Sequence, residues 1–92
     1  MNQAQRLANY LANGYHATRL TTAHQLSIAN LTAVVANLRM KLGEASIVMR
    51  RKRDFKKQLY AEYYIPQERL RVLKEKRLVV PNGTGGFRVN LH

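Results

Sequence analysis

Five apolar residues at steps of three and four, Ile28, Leu31, Val35, Leu38 and Leu42, constrain this chain more than any other feature. Steps of that size return to one side of a 3.6-residue helix, so the spacing predicts a helix over residues 28–42 with a single buried stripe. Its opposite side carries Asn30, Thr32, Ala33, Ala36, Asn37 and Lys41, all slim or polar. Gly43 follows as a stop. Upstream, residues 21–26 read as a shorter helix, with Ser27 at the tight turn between the two. Thr21 or Thr22 is its expected N-cap. Ala23 and Leu26 are expected to face inward, the small alanine letting the helices approach closely.

The flanks fill in the architecture. Residues 3–11 read as a first helix, with Ala4, Leu7, Ala8 and Leu11 as its stripe, Tyr10 at the edge, Asn2 as N-cap and Asn13-Gly14 as its stop. After Gly43 the period changes from 3.6 to 2. Ile47 and Met49 alternate with Val48, and Leu59, Ala61, Tyr63 and Ile65 alternate with Gln58, Tyr60, Glu62 and Tyr64. Two β-prone alternating segments around a charged connection predict an antiparallel hairpin. Its inner face would be Ile47, Met49, Ala61, Tyr63 and Ile65. Its tip, residues 50–57, would hold RRKRDFKK, six basic residues in eight positions.

Pro66 suits the first turn of a further helix, because its missing N–H would be unpaired there anyway. Residues 67–76 have helical composition, with Leu70 and Leu73 as a short stripe that must dock on the domain or on a second copy. Residues 78–80 and 87–89 then read as strands around a glycine-rich turn. A phosphate-cradling loop would continue into Lys-Ser/Thr and a helix, whereas Phe87-Arg88-Val89 follows here. The expected fold class is α+β: three helices, a β-hairpin, then a short C-terminal helix and a strand or hairpin tail. Residues 1–65 form the domain, and residues 66–92 pack on it or on a dimer partner.

Charge narrows the partner. Sixteen Lys and Arg against five acids give +11 and a pI near 10.8. Thirteen of those bases and all five acids fall in residues 39–77, after a nearly uncharged first part. Such an imbalance favours a polyanion: nucleic acid first, an anionic membrane surface second, an acidic protein third. With no cysteine, disulfides and thiolate metal sites are excluded. His16, His24 and His92 lack ligand-like spacing, and no acid–base pair or nucleophile assembles, so neither metal, cofactor nor enzymatic activity is expected. No apolar run approaches the ~20 residues that cross a bilayer, and no apolar signal core opens the chain. The expected location is the cytoplasm of a bacterial host cell, in association with the nucleoid, and not a membrane.

Helix, helix, helix, hairpin is the winged helix-turn-helix order. Residues 5–65 resemble the small winged helix-turn-helix domains common among phage and prophage proteins. The resemblance rests on Leu20-Thr21-Thr22-Ala23 opening the second helix, Ser27-Ile28 at the turn, and Leu31 and Val35 on the core face. It extends through Leu38-Arg39 and Gly43 at the helix end to Ala61-Glu62-Tyr63-Tyr64-Ile65 in the returning strand. It implies sequence-specific binding of double-stranded DNA, often by a dimer at a repeated half-site, for which residues 67–80 are the candidate contact. The turn position that is usually glycine is Ser27 here, so the serine must take an unfavourable backbone conformation or open the turn.

On this reading the slim flank of the third helix enters the major groove, since bulky side chains would hold the backbone off the base edges. Asn30, Thr32, Ala33, Asn37 and Lys41 are the candidate base contacts. An asparagine amide matches N6 and N7 of adenine, and Ala33 suits a thymine methyl. The competing role for Asn30 is a local cap. Thr22, Arg50, Arg51, Lys52, Arg53, Lys56 and Lys57 are candidate contacts to the DNA backbone, the alternative for the basic run being a solvated charge cluster or an import signal. Arg69, Arg71, Lys74, Lys76 and Arg77 form a second basic cluster. Two other classes compete: a protein-interaction module, for instance one gripping host RNA polymerase, and an RNA or single-strand binder stacking bases on Tyr60 or Tyr64.

Overall fold

The first three helices each start one residue after a polar side chain that accepts a hydrogen bond from a free backbone N–H. In the computed structural model, which describes residues 2–91, α1 (Gln3–Ala12) is capped by Asn2, whose Oδ1 accepts from the Gln5 N–H at 2.7 Å. Of the three histidines, His92 lies outside the described residues. α2 (Arg19–Gln25) begins earlier than expected: its cap is Thr18, not Thr21 or Thr22. Thr21 instead completes a capping box, its hydroxyl accepting from the Thr18 N–H at 2.9 Å. α3 (Leu31–Leu42) is capped by Asn30 and ends at Gly43, whose φ of 104° an L-residue rarely adopts.

The faces of α2 also differ from expectation. Thr22 is fully buried and Ala23 is exposed, the reverse of the expected placing of Ala23 inward. The Thr22 carbonyl accepts from both Leu26 and Ile28 N–H groups and so closes the turn. Ser27 takes the left-handed option, with φ 55°. The helix expected over 28–42 starts only at Leu31, because Asn30 caps it and residues 28–30 belong to the connection. The five stripe residues are nonetheless all buried, Ile28 from that connection and Leu31, Val35, Leu38 and Leu42 from α3.

A 3-10 turn (Glu44–Ser46) leads into β1 (Val48–Arg53), which pairs antiparallel with β2 (Leu59–Tyr64). Opposite residues include Met49 with Tyr63, Arg50 with Glu62 and Lys52 with Tyr60. Arg50 to Arg53 therefore belong to the strand, and the tip is only the turn after Arg53, a correction to the expected tip over 50–57. The expected inner face holds at the base of the hairpin, where Ile47 and Ile65 are buried, and fades outward until Met49 is exposed. Ala17 and Tyr63 exchange two backbone hydrogen bonds of 2.8 Å, so the link between α1 and α2 pairs with the far edge of β2.

α4 (Gln67–Glu75) follows Pro66, then β3 (Val79–Pro81) pairs antiparallel with β4 (Phe87–Val89). The fold is a small α+β one, with four helices and two two-stranded antiparallel sheets among the described residues. Leu70, Leu73, Val79 and Val89 join Leu7, Leu11 and Leu38 in one core. The apolar residues that made 67–80 a candidate dimer contact are thus buried inside this chain.

The tail is held by a feature the sequence reading passed over. Gln5 and Asn9 on α1 and Asn13 at its C-cap recur at steps of four and satisfy the outer edge of β4. Gln5 Nε2 donates to the Val89 carbonyl (2.6 Å) and the Val89 N–H donates to Asn9 Oδ1 (2.9 Å). Asn13 Nδ2 donates to the Phe87 carbonyl (2.9 Å), and the Phe87 N–H donates to Asn13 Oδ1 (2.8 Å). Gly86 is needed here because a Cβ would lie 2.8 Å from Asn13 Oδ1.

Two substitutions test this account by urea denaturation. Asn13→Ala removes both bonds to Phe87 and is expected to cost about 1–2 kcal/mol. Ser27→Gly relieves a left-handed conformation worth ~1–2 kcal/mol, against ~0.5–1 kcal/mol of added chain entropy, so a gain of about 0.5 kcal/mol is expected.

Candidate nucleic-acid interface

With one side of α3 consumed by the core, Thr32, Ala33, Asn37 and Lys41 face out and are exposed, as is Ala36. Met40 shares this exposure at 86% and adds apolar bulk toward the C-terminal end, a residue the sequence reading left out. Asn30 is exposed, but its Oδ1 accepts the Ala33 N–H at 3.2 Å. The oxygen that would pair with an adenine amino group is thus engaged by the cap. Thr22 is a correction: it is buried, and its hydroxyl donates to the Thr18 carbonyl at 2.8 Å, so it faces no phosphate.

Arg39 points the other way. Its Nε and Nη2 donate to the Ile47 carbonyl at 3.2 and 2.9 Å, and its guanidinium lies 6.0 Å from the centre of the Tyr63 ring. The last turn of α3 is thereby fastened to the base of the hairpin, which fixes the helix relative to β1 and β2.

The six cations of the hairpin divide into two sets by strand alternation. Arg50 and Lys52 share a face with Glu62, and their charged groups reach Glu62 Oε1 at 2.9 and 3.4 Å. His16 Nδ1 meets the same oxygen at 3.0 Å; an ionised carboxylate only accepts, so this nitrogen carries the proton. Arg51 and Arg53 lie on the other face, and Lys56 and Lys57 lie in the turn. Arg53 donates to the Lys57 carbonyl at 3.0 Å, so these four carry charge that no described carboxylate pairs.

Glu62 organises this end of the molecule although alternation had placed it outward. It is 8% exposed. Burial by itself raises its pKa, but hydrogen bonds from Arg50, then His16 and Lys52, outweigh burial and hold it below the ordinary glutamate range. Tyr64 packs into the same cluster, its ring 4.9 Å from that of His16 and 4.9 Å from the Arg50 guanidinium. Of the two tyrosines considered for base stacking, Tyr60 is the exposed one. The register that pairs Arg53 with Leu59 across the five residues 54–58 also pairs Arg50 with Glu62, and that register was the missing signal.

An open groove runs between α2, the first turn of α3 and the edge of β2. Leu20 and Ala23 form one wall, Thr32 the end, and Leu59 and Ala61 the other wall. Thr32 thus sits beside the hairpin. Ala33, Asn37 and Lys41 do not line the groove. Tyr63 spends its backbone groups on Ala17, so by alternation those of Leu59 and Ala61 point into the groove.

Among the described residues no helix is long and apolar enough to cross a membrane. Comparison with protein-family models, curated proteins and solved structures finds no match.

Because the folded-state pKa of Glu62 is depressed, its stabilising contribution is complete above the unfolded value of about 4.3 and is lost as pH falls through the folded one. Glu62→Gln is expected to cost about 1 kcal/mol at pH 7, kept small by the exposure of Arg50 and Lys52. The variant should also lose less stability than the wild type on acidification below about pH 4.3, as measured by urea midpoints across the acid range.

Proposed function

We propose that this chain is a sequence-specific double-stranded DNA-binding protein of the winged helix-turn-helix kind, a phage-like transcriptional regulator or architectural factor for recombination. The observation that carries the reading is the outward flank of α3, with Thr32, Ala33, Asn37 and Lys41 exposed, on a helix fastened to a hairpin bearing four cations that no described carboxylate neutralises. The element order supports it, as does the pairing of the α1–α2 link with β2, which gives a small sheet beside the helix pair. α3 would read base edges with Asn37 as the adenine partner and Ala33 near a thymine methyl. Arg51, Arg53, Lys56 and Lys57 would supply the sequence-independent share of affinity, with Arg50 and Lys52 contributing less because Glu62 already holds them.

A second reading, contact with a protein such as host RNA polymerase, is favoured by the groove beside β2. Leu20 and Leu59 stand at its walls, 68% and 54% exposed.

Selection from a random duplex pool, followed by anisotropy titrations, separates the two. Four phosphate contacts give a salt slope of about −4 on logarithmic axes, so affinity should drop roughly 100-fold between 50 and 200 mM salt. Replacing Arg51 and Arg53 by Gln should reduce that slope by about 2 and weaken all sequences alike. Asn37→Ala should cost about 1–3 kcal/mol on the selected sequence and little on a random one. Binding that ignores duplex sequence and is unchanged by Asn37→Ala would remove this reading in favour of the protein contact.

A further inference from the structure

The hairpin ends in Phe55, 92% exposed. A single exposed apolar side chain carries no message by itself. What singles out Phe55 is how firmly its turn is held and what surrounds it. Asp54 Oδ1 accepts from the backbone N–H groups of Lys56 and Gln58, both at 2.9 Å. The Asp54 carbonyl accepts from the Lys57 N–H at 2.9 Å, and the Asp54 N–H donates to the Gln58 carbonyl at 3.1 Å. Arg53 Nη1 adds a fifth bond, to the Lys57 carbonyl. Lys57 is held at φ 62°, a conformation that costs an L-residue energy. A turn this heavily bonded spends its hydrogen bonds on presenting a ring that buries nothing within the chain. Lys56 Nζ lies 5.7 Å from the ring centre, and Arg53 and Lys57 flank it in sequence.

We propose that Phe55 is a wedge: the cations bring the tip to a duplex backbone, and the ring inserts between two base pairs from the minor groove, kinking the DNA. This rests on the duplex-binding reading above and names what the hairpin does in it. Insertion of an apolar side chain costs the unstacking of one base step and is repaid by stacking on the ring and by closer contact with bent DNA. The composition of the tip favours this over an anionic lipid surface. One ring among Asp54, Lys56, Lys57 and Gln58 offers too little apolar area to hold a membrane, whereas a base step has room for one ring only. Since unstacking is cheapest where pairing is already broken, the wedge should favour a duplex with a mismatched step.

The test uses the full chain and a duplex carrying donor and acceptor dyes at its two ends, either fully paired or with one central mismatch, at low salt. The wild type is expected to raise energy transfer on binding and to bind the mismatched duplex about tenfold tighter, the effect of one stacked aromatic. Phe55→Ala should bind both duplexes alike and leave energy transfer unchanged. The chain contains no tryptophan, so Phe55→Trp introduces a single indole. That variant should restore the bend, and its fluorescence should be quenched by duplex and shielded from iodide. A Phe55→Ala variant that bends and discriminates like the wild type, or an indole that stays open to iodide in the saturated complex, would overturn the wedge while leaving duplex binding standing. An indole that shifts to the blue on phosphatidylglycerol vesicles but not on duplex would overturn it in favour of a lipid surface. A wild type with no salt-sensitive affinity for any duplex would overturn both the wedge and the reading beneath it.

Discussion

The withdrawal of Leu31, Val35, Leu38 and Leu42 from water fixes the rotation of α3 about its own axis. Turning the helix by one residue would expose most of them, at about 1.5–3 kcal/mol each. The sum is comparable with the whole net stability of a domain of this size. That constraint determines the outward flank, since the side opposite a buried stripe has nowhere to point but solvent. The same helix then carries Arg39, whose guanidinium grips the Ile47 carbonyl and passes the fixed orientation on to the hairpin.

On the hairpin, strand alternation does the sorting. Six cations within eight residues repel one another, and a single buried carboxylate on the neighbouring strand relieves that for two of them. Glu62 thereby leaves Arg51, Arg53, Lys56 and Lys57 as the share of charge open to a partner. The cluster also joins three separate parts of the chain, because His16 comes from the α1–α2 link and Tyr64 from the base of β2.

The C-terminal segment depends on α1 in a different way. β4 is only three residues long, and its outer edge would be open to water or to another strand. Amide side chains at steps of four on α1 and at its C-cap take the place of a third strand, while Leu70, Leu73, Val79 and Val89 enter the common core. Pro81 is tolerated because it lies opposite Phe87, whose backbone groups face α1; by the same alternation the missing N–H of Pro81 points out of the sheet.

The presence and order of the four helices and the first hairpin were legible in the sequence, along with the buried stripe that α3 carries and the strained turn at Ser27, though not every boundary. These are local matters, decided by which side of a helix or strand a residue falls on and by which backbone conformation it tolerates. The start of α2 differs from expectation because Thr18, Thr21 and Thr22 all offer a capping hydroxyl, and Thr18 takes the role rather than Thr21 or Thr22. The faces of Thr22 and Ala23 depend instead on which side of α2 the rest of the chain covers. The register of β1 against β2 was equally beyond local reading, and with it the pairing of Arg50 with Glu62 and the placing of Arg50 to Arg53 along a strand. So was the clamp of Gln5, Asn9 and Asn13 on a strand some eighty residues away. Such contacts depend on which distant backbone arrives beside a side chain. Only the closing of the core around α3 decides that.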